Sequence, residues 1–223
     1  MLLYYITDRT QFPGTESQRR DLLLKKISES ALAGIDYIQL REKDLSGCAL
    51  QSLAKEAAQI ILNSRSNTHL LINSRTDIAL AAGAHGVHLT SHDISAADVR
   101  TIWREARGPQ QPIIAISCHS EAEVIAAERA SDRVAADVHA RPAPADFVVF
   151  GPVFEKSGAT QPAAGLDQLQ RVCRHRIPVL ALGGMTIENA HSSVEAGASG
   201  IAGIRLFQEN EVAGSVRKLR DLG

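Results

Sequence analysis

Short, nearly continuous apolar runs recur along this chain, and each is followed by a segment whose apolar residues return every three or four positions. Runs at residues 2–6, 69–72, 86–89, 112–117, 146–150, 177–182 and 200–204 predict strands, and residues 37–43 add another in which apolar and polar positions alternate. The segments between them predict helices. These cover 17–33, a stretch opening at Ser46 with Leu50, Leu53, Ala57, Ile60 and Ile61 on one stripe, and a short piece over 78–82. A further helix opens at Ser95 or Asp98 and carries Val99, Ile102 and Trp103; others run to 130, over 166–174, over 188–196, and towards Leu222. Gly34, Gly83 and Gly197 stand where helices must stop, a position glycine takes readily. Ser120 with Glu123 has capping-box spacing. Residues 132–144 mix charge, alanine and two prolines, and predict an insertion or long loop.

Eight strand–helix alternations with strands this apolar imply a parallel sheet covered on both faces. Eight in one chain predict a closed (β/α)8 TIM barrel, a single α/β domain over residues 1–223, with functional groups on the loops that follow the strands. An open doubly wound sheet fits less well, because no glycine-rich dinucleotide fingerprint follows the first strand.

Composition narrows the partners. The chain is 44% hydrophobic, enough for a sizeable core, and its net charge is -1, so no global positive field exists to hold nucleic acid and any anion site must be local. Cys48, Cys118 and Cys173 are scattered outside any metal spacing and read as reduced thiols. The opening apolar residues are too few for a signal sequence and no run reaches membrane-spanning length, so a soluble cytoplasmic protein is expected.

In a strand over 37–43, Gln39, Arg41 and Lys43 share one face. At a barrel mouth they would offer a neutral donor, a planar fork and a point charge, a set suited to phosphate or diphosphate; on an outer surface they would be solvated charges. Gly183-Gly184 after the seventh strand and Gly203-Ile204 after the eighth open onto helices whose free N–H groups can hold a second anion, as loops seven and eight do in many barrels, although glycines also simply permit tight turns. Asn73 and Asp93 close the third and fourth strands and are candidates for the same mouth. Asp93 suits Mg²⁺, which takes one or two carboxylates together with substrate phosphate, but could equally cap the helix near Ser95. Asp77 reads as a helix-start residue. His88 is either pocket-facing or a satisfied interior ring. A Cys118–His119 nucleophile pair is opposed by strand alternation, which sends neighbours to opposite faces.

Taken in order, several of these pieces carry a family resemblance. They are Tyr5-Ile6-Thr7-Asp8, Gln39-Leu40-Arg41-Glu42-Lys43, Asn73-Ser74-Arg75-Thr76-Asp77-Ile78-Ala79-Leu80, Gly86-Val87-His88-Leu89, Ile116-Ser117-Cys118-His119-Ser120, Gly151-Pro152-Val153-Phe154, Gly183-Gly184-Met185-Thr186 and Ala196-Gly197-Ala198. With them the chain resembles thiamine phosphate synthase and the TenI-like thiazole tautomerases over nearly its whole length. The resemblance implies a barrel that joins a hydroxymethylpyrimidine diphosphate to a thiazole phosphate and releases diphosphate with Mg²⁺. By position it implies that Arg41, Lys43 and Asn73 hold the pyrimidine diphosphate, that Asp93 is a Mg²⁺ ligand, and that Ser117 lies near the pyrimidine and leaving group. Gly184 and the Gly203-Ile204 backbone would hold the thiazole phosphate.

Three departures stand out. The family's Asn-Asp-Arg is Asn73-Ser74-Arg75 here, so Ser74 replaces one of two metal-binding carboxylates. The family's loop lysine after the sixth strand has only Lys156 as a substitute, in a different register. The tautomerase's catalytic histidine falls on Pro152. A synthase is therefore expected, with a tautomerase or a non-catalytic phosphate-binding, regulatory barrel as alternatives. A homo-oligomer is left open, since barrels often associate through their outer helices.

Overall fold

The structure, a computed structural model, describes residues 1–108, 110–129, 145–155 and 162–222. Eight parallel strands close in chain order: β1 (Leu2–Ile6), β2 (Tyr37–Leu40), β3 (His69–Asn73), β4 (Gly86–Leu89), β5 (Ile113–Cys118), β6 (Phe147–Phe150), β7 (Val179–Ala181) and β8 (Gly200–Gly203), which pairs back onto β1. Around them lie α1 (Glu16–Leu32), α2 (Gly47–Ser64), α3 (Thr76–Ala82), α4 (Ala96–Glu105), α5 (Glu121–Arg129), α6 (Gly165–Val172), α7 (Ile187–Glu195), α8 (Arg205–Gln208) and α9 (Val212–Arg220). The expected (β/α)8 barrel is present. Both the predicted insertion at 132–144 and Lys156 lie outside the described residues.

Alternation along each strand builds two cores. Ile38, Leu40, Leu70, Ile72, Val87 and Leu89 point outward and pack with helix residues such as Ile27, Leu53 and Ala57. Tyr4, Ile6, Leu71, Ala115, Phe147, Val149, Leu180 and Ala202 point inward and fill the barrel. Both strand faces are thus buried, which is why the strand segments read as almost unbroken apolar runs. Towards the strands' N-terminal ends the interior is closed by rings: Tyr37 lies 4.8 Å from Phe147, Tyr4 lies 5.9 Å and 5.6 Å from these two, and His69 lies 5.7 Å from Tyr37.

Helix starts follow local polar chemistry. Reciprocal capping boxes pair Thr15 with Gln18 at α1, Ser95 with Asp98 at α4 and Thr186 with Asn189 at α7. Ser95 is therefore the cap of α4, and Asp93 is not. Ser120 accepts from the Glu123 amide at 3.3 Å, but the Glu123 carboxylate turns to the His119 amide, so the expected reciprocal box at α5 is only half formed. The last predicted helix is two, α8 and α9, because Glu211 folds back to accept from the Ala213 and Gly214 amides and starts α9 afresh.

The predicted strand over 37–43 stops at Leu40. Beyond it, the Arg41 amide donates to the Thr7 hydroxyl (3.0 Å) instead of continuing a ladder, and Glu42 turns in towards Thr7 and Arg9.

Candidate active site

The C-terminal rim of the barrel is organised around a buried carboxylate. Glu42 accepts from the Thr7 hydroxyl at 2.5 Å, the Arg9 amide at 3.0 Å and Arg9 Nη1 at 3.1 Å. The Arg9 guanidinium, itself 4% exposed, also meets Asp44 twice (2.7 and 2.8 Å) and Glu16 (2.6 Å). Burial pushes the Glu42 carboxyl above its ordinary range while Thr7 and Arg9 pull it down; with three donors on its two oxygens we take it as ionised. Asp44 is held low by Arg9. This network pins the β2–α2 loop against the turn after β1.

Arg9 is thus committed to three carboxylates, whereas neither Arg41 nor Lys43 has a hydrogen-bonded or ion-paired side-chain partner among the described residues. Arg41 continues the inward register of Tyr37 and Gln39, is half-buried, and lies close enough to His88 to depress that ring's basicity. Lys43 is exposed on the loop past the strand end. The shared strand face expected for Gln39, Arg41 and Lys43 therefore does not extend to Lys43.

Next to Arg41 runs a chain of polar contacts across three strands. Gln39 Nε2 donates to Asn73 Oδ1 (2.9 Å), Asn73 Nδ2 to Ser74 Oγ (3.1 Å), and Ser74 Oγ to Asp93 Oδ2 (2.7 Å). The same Asp93 oxygen accepts from the Thr90 amide (2.7 Å) and hydroxyl (2.9 Å), while Oδ1 has no hydrogen bond among the described residues. Ser74 sits at φ 59°, a left-handed position that Asp and Asn adopt more easily than Ser.

On the adjoining strands, His88 stands between Tyr4 (OH to Nδ1, 2.9 Å) and Ser117 (Nε2 to Oγ, 2.7 Å). Burial, reinforced by Arg41 and opposed by Asp93, pushes His88 down to about 3, so the ring is neutral. It is both inward-facing and satisfied. Burial also raises the Tyr4 phenol well above its usual value. Cys118 and His119 form no pair: the thiol is buried outward and pushed up to about 12, and His119 Nδ1 lies 2.5 Å from the Gly151 carbonyl. Asp77, in the first turn of α3, is bound by Arg75 through two contacts (2.8 and 2.6 Å), in keeping with a helix-start residue.

On the same rim, a cavity of about 650 Å³ opens at the ends of β7 and β8. Gly183, Gly184, Gly203, Ile204 and Arg205 line it. Gly183 and Gly184 have φ 98° and 62°, and a Cβ on either would come within 2.5–2.7 Å of Pro152 or Glu155 backbone atoms. Glycine is thus required here by the packing of two loops, whatever else the amides hold. Gln208 seats α8 by accepting from the Tyr5 hydroxyl (2.9 Å) and donating to the Asp8 carbonyl (2.7 Å), which fixes the Ile204–Arg205 segment. Arg205 is the single cation among the lining residues, beside Glu155, Glu188 and Glu209, and its side chain has no partner among the described residues.

Gln39, Arg41, Asn73, Asp93 and Ser117 therefore converge, and Gly184, Gly203 and Ile204 line a cavity at the same rim. Arg9 with Glu42, the Tyr4–His88 contact, and Arg205 were not singled out from sequence. The one available signal was Glu42 itself, a carboxylate between two cations where a solvated strand end has no need of one.

The family model described as thiamine monophosphate synthase matches residues 3–207. This chain belongs to that family. Among the family's members, a Geobacter sulfurreducens protein named "Putative thiamine-phosphate synthase" is 40% identical over 205 residues, covering 90% of this chain and 83% of that one. The "Thiamine-phosphate synthase" of Methanoculleus marisnigri is 33% identical and covers 98% of this chain and 93% of its own length. Among solved structures, the thiamine phosphate pyrophosphorylase of Pyrococcus furiosus superposes with a TM-score of 0.76 at 26% identity, over 99% of this chain and 94% of that one. Within this thiamine-biosynthetic, transferase family, no helix among the described residues here is long and apolar enough to cross a membrane.

Proposed function

We propose that residues 1–223 act as one unit that joins hydroxymethylpyrimidine diphosphate to a thiazole phosphate, releasing diphosphate and forming thiamine phosphate. The observation that carries this is the pair of cations Arg41 and Lys43, whose side chains have no partner among the described residues, on the same rim as the cavity at β7–β8 and an Asp93 Oδ1 that is likewise free among those residues. Arg41 and Lys43 receive the diphosphate, and Gln39 and Asn73 orient the pyrimidine end. Ser117 lies beside the bond that breaks. The thiazole phosphate takes the cavity, held by the Gly184, Gly203 and Ile204 backbone with Arg205 supplying the charge that three neighbouring carboxylates would otherwise oppose. The apolar barrel wall keeps water from the cationic pyrimidine methylene as the leaving group departs.

The donor set fits Mg²⁺. One carboxylate oxygen, Asp93 Oδ1, is available, and the ion accepts one or two carboxylates with the rest supplied by phosphate and water. Bound there, Mg²⁺ would neutralise charge developing on the diphosphate. Ser74 contributes no charge, so among the described residues of this cluster Asp93 would be the one carboxylate to hold it. The tautomerase alternative is not favoured, because position 152 is a proline with no proton to give, and the relatives are named as synthases.

The test is direct: purified protein, both phosphorylated substrates and Mg²⁺, with thiamine phosphate measured. Formation of product, lost in Arg41→Ala with the fold intact, supports the synthase. Absence of product while thiazole phosphate still binds by calorimetry would leave the non-catalytic barrel in its place. We place the protein in the cytoplasm.

A further inference from the structure

Ser117 has a hydroxyl that can either donate to a ligand or accept from one, and which it does depends on a side chain two hydrogen bonds away. The neutral His88 ring carries one N–H. If it is on Nδ1, that N–H donates to the Tyr4 oxygen, and the Tyr4 proton is left with no acceptor. Tyr4 is 0% exposed, packed edge-on against Tyr37 and Phe147, and its hydroxyl has no other partner among the described residues. An orphaned buried donor of this kind costs roughly 1–3 kcal/mol. If the proton is on Nε2, both Tyr4 and His88 are satisfied: Tyr4 O–H donates to Nδ1 at 2.9 Å, and Nε2–H donates to Ser117 Oγ at 2.7 Å. The Ser117 proton is then released from His88. Ser117 Oγ belongs to the inward face of β5, level with the mouth, and has no second partner among the described residues.

We propose that Tyr4 and His88 are positioning residues that form a one-way relay, Tyr4 to His88 to Ser117, which holds the Ser117 hydroxyl as a hydrogen-bond donor facing the mouth. A donor there serves an anionic oxygen, such as that of a departing diphosphate, and is mismatched to an amino group. The polarity of the relay rests on the buried geometry and the neutral ring; its consequence for turnover rests on the synthase function proposed above.

Two measurements test it. In the full-length protein labelled with ¹⁵N-histidine, long-range proton–nitrogen correlation at neutral pH reports the His88 tautomer, with His88→Gln used only to assign the signal. The expected tautomer is Nε2–H; an Nδ1–H ring overturns the relay, and this holds whether or not the protein turns over the expected substrates. The second is a double-mutant cycle on product formation. Tyr4→Phe should lower kcat about tenfold, the effect of one lost orienting hydrogen bond, with KM nearly unchanged. Added to Ser117→Ala it should cost nothing further, because Tyr4 acts through Ser117. Independent, multiplying losses would show that Tyr4 serves only packing and would overturn the positioning role. Should Tyr4→Phe fail to fold, the wild-type tautomer still decides the matter.

Discussion

Replacing Glu42 with glutamine probes the arrangement that holds Arg41 in place. Glu42 is 1% exposed in its side chain and faces three donors. A glutamine oxygen can take over the two Arg9 contacts. Its NH₂ must then face the Thr7 hydroxyl, which already accepts from the Arg41 amide, so the Thr7 proton loses its acceptor inside a fully buried site. That orphan costs roughly 1–3 kcal/mol. Breaking a buried ion pair outright costs about 3–5 kcal/mol, but Arg9 keeps Asp44 and Glu16, so only part of this is lost. The total is about 3 kcal/mol, and for a chain of this size each kcal/mol moves Tm by about 2–4 °C, giving a drop of roughly 6–12 °C. Calorimetric unfolding at neutral pH measures it. Glu16→Gln takes the charge from a carboxylate that faces the same arginine but is 60% exposed, and should cost no more than about 1 kcal/mol. A second readout is diphosphate affinity, which should weaken in Glu42→Gln because the Arg41 backbone hangs on Thr7. If the two variants melt together, the buried carboxylate is not what fixes this rim.

Three further outcomes are expected. Ser74→Asp should bind Mg²⁺ about tenfold more tightly in calorimetry with inorganic diphosphate present, since it adds a carboxylate beside Asp93 at a backbone position Asp tolerates; unchanged affinity would place the ion elsewhere. Arg205→Ala should weaken thiazole phosphate binding about tenfold with Tm unchanged, and equal affinity would remove Arg205 from the cavity's chemistry. His88 is depressed from 6.5 to about 3, so between those values the unfolded chain holds a proton that the folded one lacks. Stability contributed by the neutral ring is present above 6.5 and is lost as pH falls through that window, at up to ~1.4 kcal/mol per pH unit. His88→Gln should flatten this slope in acid unfolding, and an identical slope would mean the ring charges in the folded protein.

The barrel was legible because strands buried on both faces leave a local signature, repeated eight times. Alternation put Gln39 and Arg41 on one face, Asn73 was legible as the residue closing the third strand, and Ser117 came from the family resemblance alone. What sequence could not give was set by distance along the chain. Tyr4 and His88 meet across 84 positions, and Tyr5 and Gln208 across 203. Arg9 carries a charge that composition assigns to solvent by default, yet three carboxylates reach it. Lys43 departed from the strand pattern because Glu42 is drawn in behind Arg41, and no periodicity encodes that hook. Asp93 was ambiguous until Ser95 was seen to cap the next helix.

The ring-packed floor of Tyr4, Tyr37 and Phe147 closes the barrel interior towards the strands' N-terminal ends. A ligand that reaches the inward-facing Gln39, Asn73 or Ser117 therefore comes and goes past the same rim that carries the β7–β8 cavity.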